Sequence, residues 1–253
     1  VNWILFDAFS STSLFTRLEL EYTQDKINFS KTINSDLSQS LTLVNVNSDY
    51  RMAAGIELST PIRKAGLNLR TGIDESYRRG LNLINAESNT VNSFTHTFNL
   101  SFDNRKKEKV DVVFGGVVEL SNAMYSIESS QNNRYINWLY FLEAHYMPVK
   151  RWRLSFNADV NHYYVQGYES RVNVPLLQAT VTHYVLKGNR GTIALKGFDL
   201  LNKNSGITQS SELNYLQRTE SNTLGRYFML SFKYRLSRFE SSGPHLDIKV
   251  NGR

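Results

Sequence analysis

Residues 223–239 read TLGRYFMLSFKYRLSRF, and this stretch decides the fold. Phe228, Leu230, Phe232, Tyr234 and Leu236 alternate with Tyr227, Met229, Ser231, Lys233 and Arg235. A two-residue period of this kind puts an apolar ribbon on one face of a β-strand and a polar ribbon on the other. One such strand would suit a soluble sandwich. A chain that repeats the pattern about ten times has the layout of a sheet with lipid on one side and water on the other.

The repetition is plain upstream. Phe94, His96, Phe98, Leu100 and Phe102 alternate with Thr95, Thr97, Asn99, Ser101 and Asp103. Ile136, Trp138, Tyr140, Leu142, Ala144 and Tyr146 face away from Asn137, Glu143 and His145, and Leu154, Phe156, Ala158 and Val160 face away from Arg153, Ser155, Asn157 and Asp159. Alternation starts at Leu14, and residues 1–12 read as the end of a preceding strand and a turn. Within 192–201 the apolar parity changes between Leu195 and Phe198, which predicts a bulge near Gly197.

The connections alternate in length. Short turns at 61–66, 104–108, 148–150 and 187–190 are interleaved with polar stretches near 30–42, 78–92, 126–134, 165–173 and 202–222. An up-and-down transmembrane barrel has short turns at one end and long loops at the other, whereas a Greek-key sandwich does not predict this rhythm. The expected fold is therefore all-β, an antiparallel up-and-down transmembrane β-barrel occupying 1–239. The final strand closes either on the strand from Leu14 or on a strand outside the sequence. Residues 240–253, ESSGPHLDIKVNGR, are expected to form a periplasmic tail.

Composition narrows the function classes. No apolar run approaches the roughly 18–20 residues of a spanning helix, so a membrane reading has to use strands. Cysteine is absent, which excludes thiolate metal sites, disulfides and a cysteine nucleophile. The formal charge of +6 is concentrated in the short turns, at Arg63, Lys64, Arg105, Lys106, Lys107, Lys109, Lys150, Arg151, Lys187 and Arg190. That distribution reads as a solvated rim. No aromatic and basic stacking platform accompanies it, so nucleic acid is not an expected partner. The opening VNWILFDAF has none of the parts of a secretory signal, which leads to the expectation of a mature, truncated or partial chain.

Two residue pairs invite chemistry. Glu143 and His145 share the polar face two residues apart, a spacing compatible with a metal ligand pair or a general base, but two ligands do not make a site. Asp159 and His162 fall on opposite parities. His96 and His183 lie on the apolar face, Gly115 and Gly116 ease close packing within a strand, and Trp138, Tyr146 and Trp152 fit interfacial girdles. No catalytic, cofactor or metal site is expected, and no enzymatic activity.

Residues 191–239, with Asp199-Leu200-Leu201-Asn202 and the strand beginning at Asn222, resemble the C-terminal end of TonB-dependent receptor barrels of Gram-negative bacteria. The resemblance implies a wall of about 22 strands around an N-terminal plug energised through TonB, of which this chain is the C-terminal portion. It implies an outer-membrane location and a gated nutrient-uptake channel. It also implies contact with outer-membrane lipid and lipopolysaccharide, and recognition of the last strand, with Phe239 near its end, by the barrel-assembly machinery. The alternative is a structural barrel subunit of a larger envelope complex without transport of its own. Loop composition favours no cargo class.

Overall fold

A computed structural model describes residues 1–36, 38–127, 132–166, 171–211 and 216–236. The strands run β1 (Asn2–Asp7), β2 (Thr12–Ile33), β3 (Gln39–Ile62), β4 (Leu67–Ile84), β5 (Glu87–Asn104), β6 (Val110–Tyr125), β7 (Asn133–Tyr146), β8 (Trp152–Val165), β9 (Val172–Val185), β10 (Gly191–Phe198), β11 (Ile207–Ser211), β12 (Leu216–Glu220) and β13 (Tyr227–Tyr234). Eleven of them form one sheet in the order β1 to β10 and then β13, while β11 and β12 pair separately as a hairpin. Each neighbour along the sheet is antiparallel.

The register carries the sequence alternation across the sheet. Ile56 lies opposite Ile73, Ile73 opposite Phe98, and Phe98 opposite Val118. Farther along, Val118 faces Trp138, and Leu195 faces Leu230. These residues define an outer face. Arg17, Asp74, Thr97, Glu119 and Asn137 define the inner face in the same way. Because side chains alternate with a period of two, one residue of slippage would exchange the faces, so the register is strongly specified.

Three features differ from the sequence reading. The polar stretches near 30–42 and 78–92 are mostly strand rather than loop. β2 and β3 run to 22 and 24 residues, about twice the roughly 9–11 residues that cross a bilayer. The β4–β5 turn is only Asn85 and Ala86, both at positive φ (50° and 67°), as in a two-residue hairpin. Backbone ladders need no apolar side chains, so polar strands outside an apolar band lose the alternation that marks them.

The predicted bulge near Gly197 is also absent. β10 pairs one-to-one through Gly197 with Ala179 on one side and Phe228 on the other. The parity change instead reflects an aromatic pair on the inner face, where Phe198 stacks on Tyr227 at 5.0 Å, and the strand ends there, with Asp199 (φ 46°) next in the chain.

The expected closed barrel is not formed by these residues. β1 is a full member of the sheet and covers the edge of β2, so the strand from Leu14 is not available to β13. β1 and β13 are the two edges, and in an odd-numbered antiparallel sheet of eleven they run in the same direction. Of the last strand, the ladder covers Tyr227–Tyr234; Phe239 and the tail at 240–253 lie outside the described residues.

Buried side chains gather on the inner face at the end away from the short turns. Val91, Ala123 and Tyr125 make one cluster; Tyr135, Tyr163, Val165 and Val174 make another, against which Ile207 of β11 packs. At the same end β2 folds back. At Asp25 (φ 51°) its parity reverses, and its tip pairs in parallel with β4 through Ser30–Leu83 and Lys31–Ile84. Asn28 Nδ2 donates to the Leu81 carbonyl (2.8 Å) and the Asn85 N–H to the Lys31 carbonyl (2.8 Å).

Candidate functional site

The inner face is a ladder of compensated charges. Arg17 on β2 reaches Asp74 on β4 at 3.0 Å, across Gly55 of the intervening strand. A Cβ at Gly55 would collide with Asp74 Oδ1, so glycine opens the gap that the ion pair crosses. One step away Arg70 approaches Glu57 at 3.4 Å. Higher on the sheet Asp49 is buried and held by Lys26 Nζ (2.7 Å) and by Arg78 through Nε and a terminal nitrogen (3.3 Å each). Two cations around one carboxylate offset the cost of its desolvation.

At the short-turn end Lys107 spans Asp103 (3.2 Å) and Asp111 (3.0 Å). Burial works against its charge, but the hydrogen bonds and attraction of Asp111 and Asp103 prevail and raise its pKa above the usual lysine value. Beside it stands the pair singled out in the sequence. His145 Nε2 lies 3.0 Å from Glu143 Oε1, and His145 Nδ1 lies 2.9 Å from Ser155 Oγ. An ionised carboxylate only accepts, so Nε2 carries a proton, and in the neutral imidazole Nδ1 then accepts from the Ser155 hydroxyl.

That hydroxyl, imidazole and carboxylate chain has the connectivity of a general-base relay. It lacks the rest of an acyl-transfer site. Ser155 sits between His145 and Thr180 in the sheet, where backbone N–H groups are engaged in ladders and do not converge on a developing oxyanion. The adjoining cavity, lined by Lys107, Asp111, His145 and Arg153, holds only about 50 Å³. Among the described residues no three His, Asp or Glu side chains group to hold a metal.

The other sequence candidates separate. His162 is on the outer face, bonded through Nδ1 to Asn173 Oδ1 (2.5 Å) and set edge-on to Tyr140 (5.9 Å), so it does not meet Asp159 of the inner face. His183 is outer and packs against Trp152 at 4.3 Å. His96 is outer as well, and its Nδ1 pairs with Glu75 of β4, a partner that sequence reasoning missed. The parity of Glu75, even with Ile73 and Tyr77, was the signal. A Cβ at Gly115 would strike the Leu100 carbonyl and come within 2.8 Å of Ser101 Cα, so β5 and β6 approach closely there.

On the outer face Phe228, Leu230 and Phe232 are 67%, 74% and 64% exposed. Together they present about 400 Å², already as large as the largest apolar patch of a typical soluble monomer. Farther across the same face a groove of about 600 Å³ is lined by Trp138, Tyr140, His162, Tyr164, Arg171 and Asn173. No protein-family model matches the chain, and no curated protein matches it.

Proposed function

We propose that the sheet is part of the wall of an outer-membrane β-barrel of the TonB-dependent receptor kind, lining a gated nutrient-uptake channel. One observation carries this reading. Across β3 to β10 the register sets Ile56, Ile73, Phe98, Val118, Trp138 and Leu195 on one face, while the Arg17–Asp74, Arg70–Glu57 and Lys26–Asp49 pairs lie on the other. In hydrocarbon the outer face has no cost of exposure, while the inner charges need water. The outer Glu75–His96 and His162–Asn173 pairs, polar interruptions of that band, are satisfied internally.

The edges support a larger wall. An unpaired strand edge in lipid costs several kcal/mol for each orphaned backbone group. β1 and β13 run in the same direction, so antiparallel closure takes an odd number of further strands. The resemblance of residues 191–239 supports the receptor assignment. The long extensions of β2 to β5 would stand beyond the bilayer, where cargo arrives.

Heat-modifiable gel migration and detergent-dependent solubility of the membrane-extracted protein test the wall. A protein that is monomeric and soluble without detergent refutes it. Retention of TonB by the intact protein supports uptake; a membrane-inserted barrel that does not retain TonB supports the scaffold alternative.

A further inference from the structure

We infer that the two-stranded tip formed by β2 and β3 binds a second copy of this chain, face to face, about a two-fold axis parallel to the strands. The inference rests on the membrane-wall reading, which sets the tip beyond the bilayer. Residues 14–22 already give β2 the roughly 9–11 residues that cross hydrocarbon. At the end of that span Tyr22 and Tyr50 lie 5.0 Å apart, in the position of an interfacial aromatic pair. Past Asp25 the two faces of the ribbon differ. Lys26 meets Asp49, Asn28 bonds to the Leu81 carbonyl, and Val46 is buried, all on the inner side. The opposite face carries Ile27, Phe29 and Ile33 of β2 with Leu41 and Leu43 of β3, and the register sets Phe29 opposite Leu43. Ile27, Phe29, Leu41 and Leu43 are each at least half exposed.

The five apolar side chains present about 500 Å², as much as the largest apolar patch of a typical soluble monomer, on a part of the fold that hydrocarbon does not cover. Along this face, from 27 to 33 and from 39 to 45, Lys31 is the one charged residue. Depletion of charge at the centre is the mark of a protein interface, and an anionic partner would find a single cation. Symmetry selects a second copy. Two copies in one membrane point the same way at the same height, so a two-fold along the strands lays β2 of each on β3 of the other. Residues paired across one ribbon then meet across the interface. Phe29 meets Leu43 of the partner subunit, and Lys31 lays its methylene stem on Leu41 of the partner subunit. The contact buries about 1,000 Å² in total, the lower bound of a specific interface. Confinement to one membrane supplies the high effective concentration that so small a contact needs.

The test uses the intact protein in outer-membrane vesicles. The chain contains no cysteine, so Leu43→Cys and Thr42→Cys, on opposite faces of the ribbon, each report one face to a short bismaleimide linker. A cross-linked dimer at least tenfold more abundant from Leu43→Cys than from Thr42→Cys is expected. Adding Ile27→Glu or Leu41→Glu to Leu43→Cys should reduce it at least tenfold. Equal yields at the two positions, no dimer from either, or a dimer that survives both glutamate variants overturns the inference. A thiol at position 43 that maleimide does not reach in dilute detergent, where copies are apart, also overturns it, because another segment of the same protein then covers the face. Cross-linking to a different protein in place of the dimer assigns the face to that protein and overturns it too. Heat-modifiable migration of each variant separates these outcomes from failure of the wall reading, and a glutamate variant that migrates as unfolded leaves the other to decide.

Discussion

Replacing Phe98 with arginine separates a lipid-facing sheet from a solvated one. Phe98 is central on the outer face, between Ile73 and Val118, and is 43% exposed. Arginine on the lipid face near the bilayer midplane costs about 2–4 kcal/mol, and loss of the two cross-strand apolar pairs adds about 1 kcal/mol. The sum, about 3–5 kcal/mol, lowers the folding equilibrium at least a hundredfold. Thr97→Arg is the internal control. Its side chain is on the inner face with Asp74 and Glu119 opposite it on the neighbouring strands, so a new cation meets carboxylates and water, and the change stays within about 0.5–1 kcal/mol. Folding of the intact protein into lipid vesicles, titrated with urea and read by heat-modifiable migration, gives both numbers. Equal effects at the two positions, or a Phe98→Arg effect of no more than about 1 kcal/mol, refute the lipid-facing assignment, because in water the substitution loses only the cross-strand pairs.

Asp49→Ala leaves Lys26 and Arg78 facing each other without their shared carboxylate. It should destabilise the β2–β4 extension by about 2–3 kcal/mol, since both cations keep some solvent access; hydrogen exchange of the β3 amides near Val46 should accelerate at least tenfold, and unchanged protection contradicts the clamp. Gly55→Ala drives Asp74 away from Arg17 and should cost about 1 kcal/mol, with no further loss when Asp74→Ala is added; additive losses would show that the gap serves something else. The raised pKa of Lys107 makes its contribution fully present below the unfolded value of 10.5 and lost as pH rises through the higher folded value. Alkaline titration should therefore loosen the β5–β6 turn in the parent and not in Lys107→Met, measured by proteolysis at 105–109, and identical alkaline profiles would contradict the bridge.

The alternation in β5 to β9 was legible because the outer positions of their middle stretches, such as Phe98, Val118, Trp138, Leu142, Phe156 and Val181, are apolar, while polar residues such as Thr97, Glu119, Asn137, Glu143 and Ser155 recur on the other parity. Legibility failed where that rule lapses. Residues 78–92 have polar side chains on both faces, so the strand extensions of β4 and β5 looked like a loop, although Asn85 and Ala86 alone make the turn. The parity change at Phe198 looked like an inserted residue, but Tyr227 supplies an inner-face ring for it to stack on. A composition window records the aromatic residue and not its neighbour.

The polar site divides the same way. Glu143 and His145 are two residues apart, so their meeting follows from strand geometry alone. Ser155 completes the chain only because β8 is registered to put it opposite His145. Asp49, Lys26 and Arg78 come from three strands, and Asn89, fully buried with Nδ2 donating to Asn82 Oδ1 at 2.9 Å, sat in the presumed loop. None of these has a local signature, because each is polar in a polar stretch.

By itself the sequence determined the two faces of the middle of the sheet and the turns near 61–66, 104–108, 148–150 and 187–190, since both follow from the fixed two-residue period of a strand and from local turn chemistry; the expected long connections near 30–42 and 78–92 were strand. Only the tertiary structure decided which residues lie opposite one another, and with that the Arg17–Asp74 pair through Gly55, the Glu75–His96 pair and the groove beside Arg171. It also decided that β1 covers the edge of β2 and leaves two edges running in one direction. Register is a long-range quantity, set by hydrogen bonds between residues distant in the chain, and a local pattern constrains its parity but not its value.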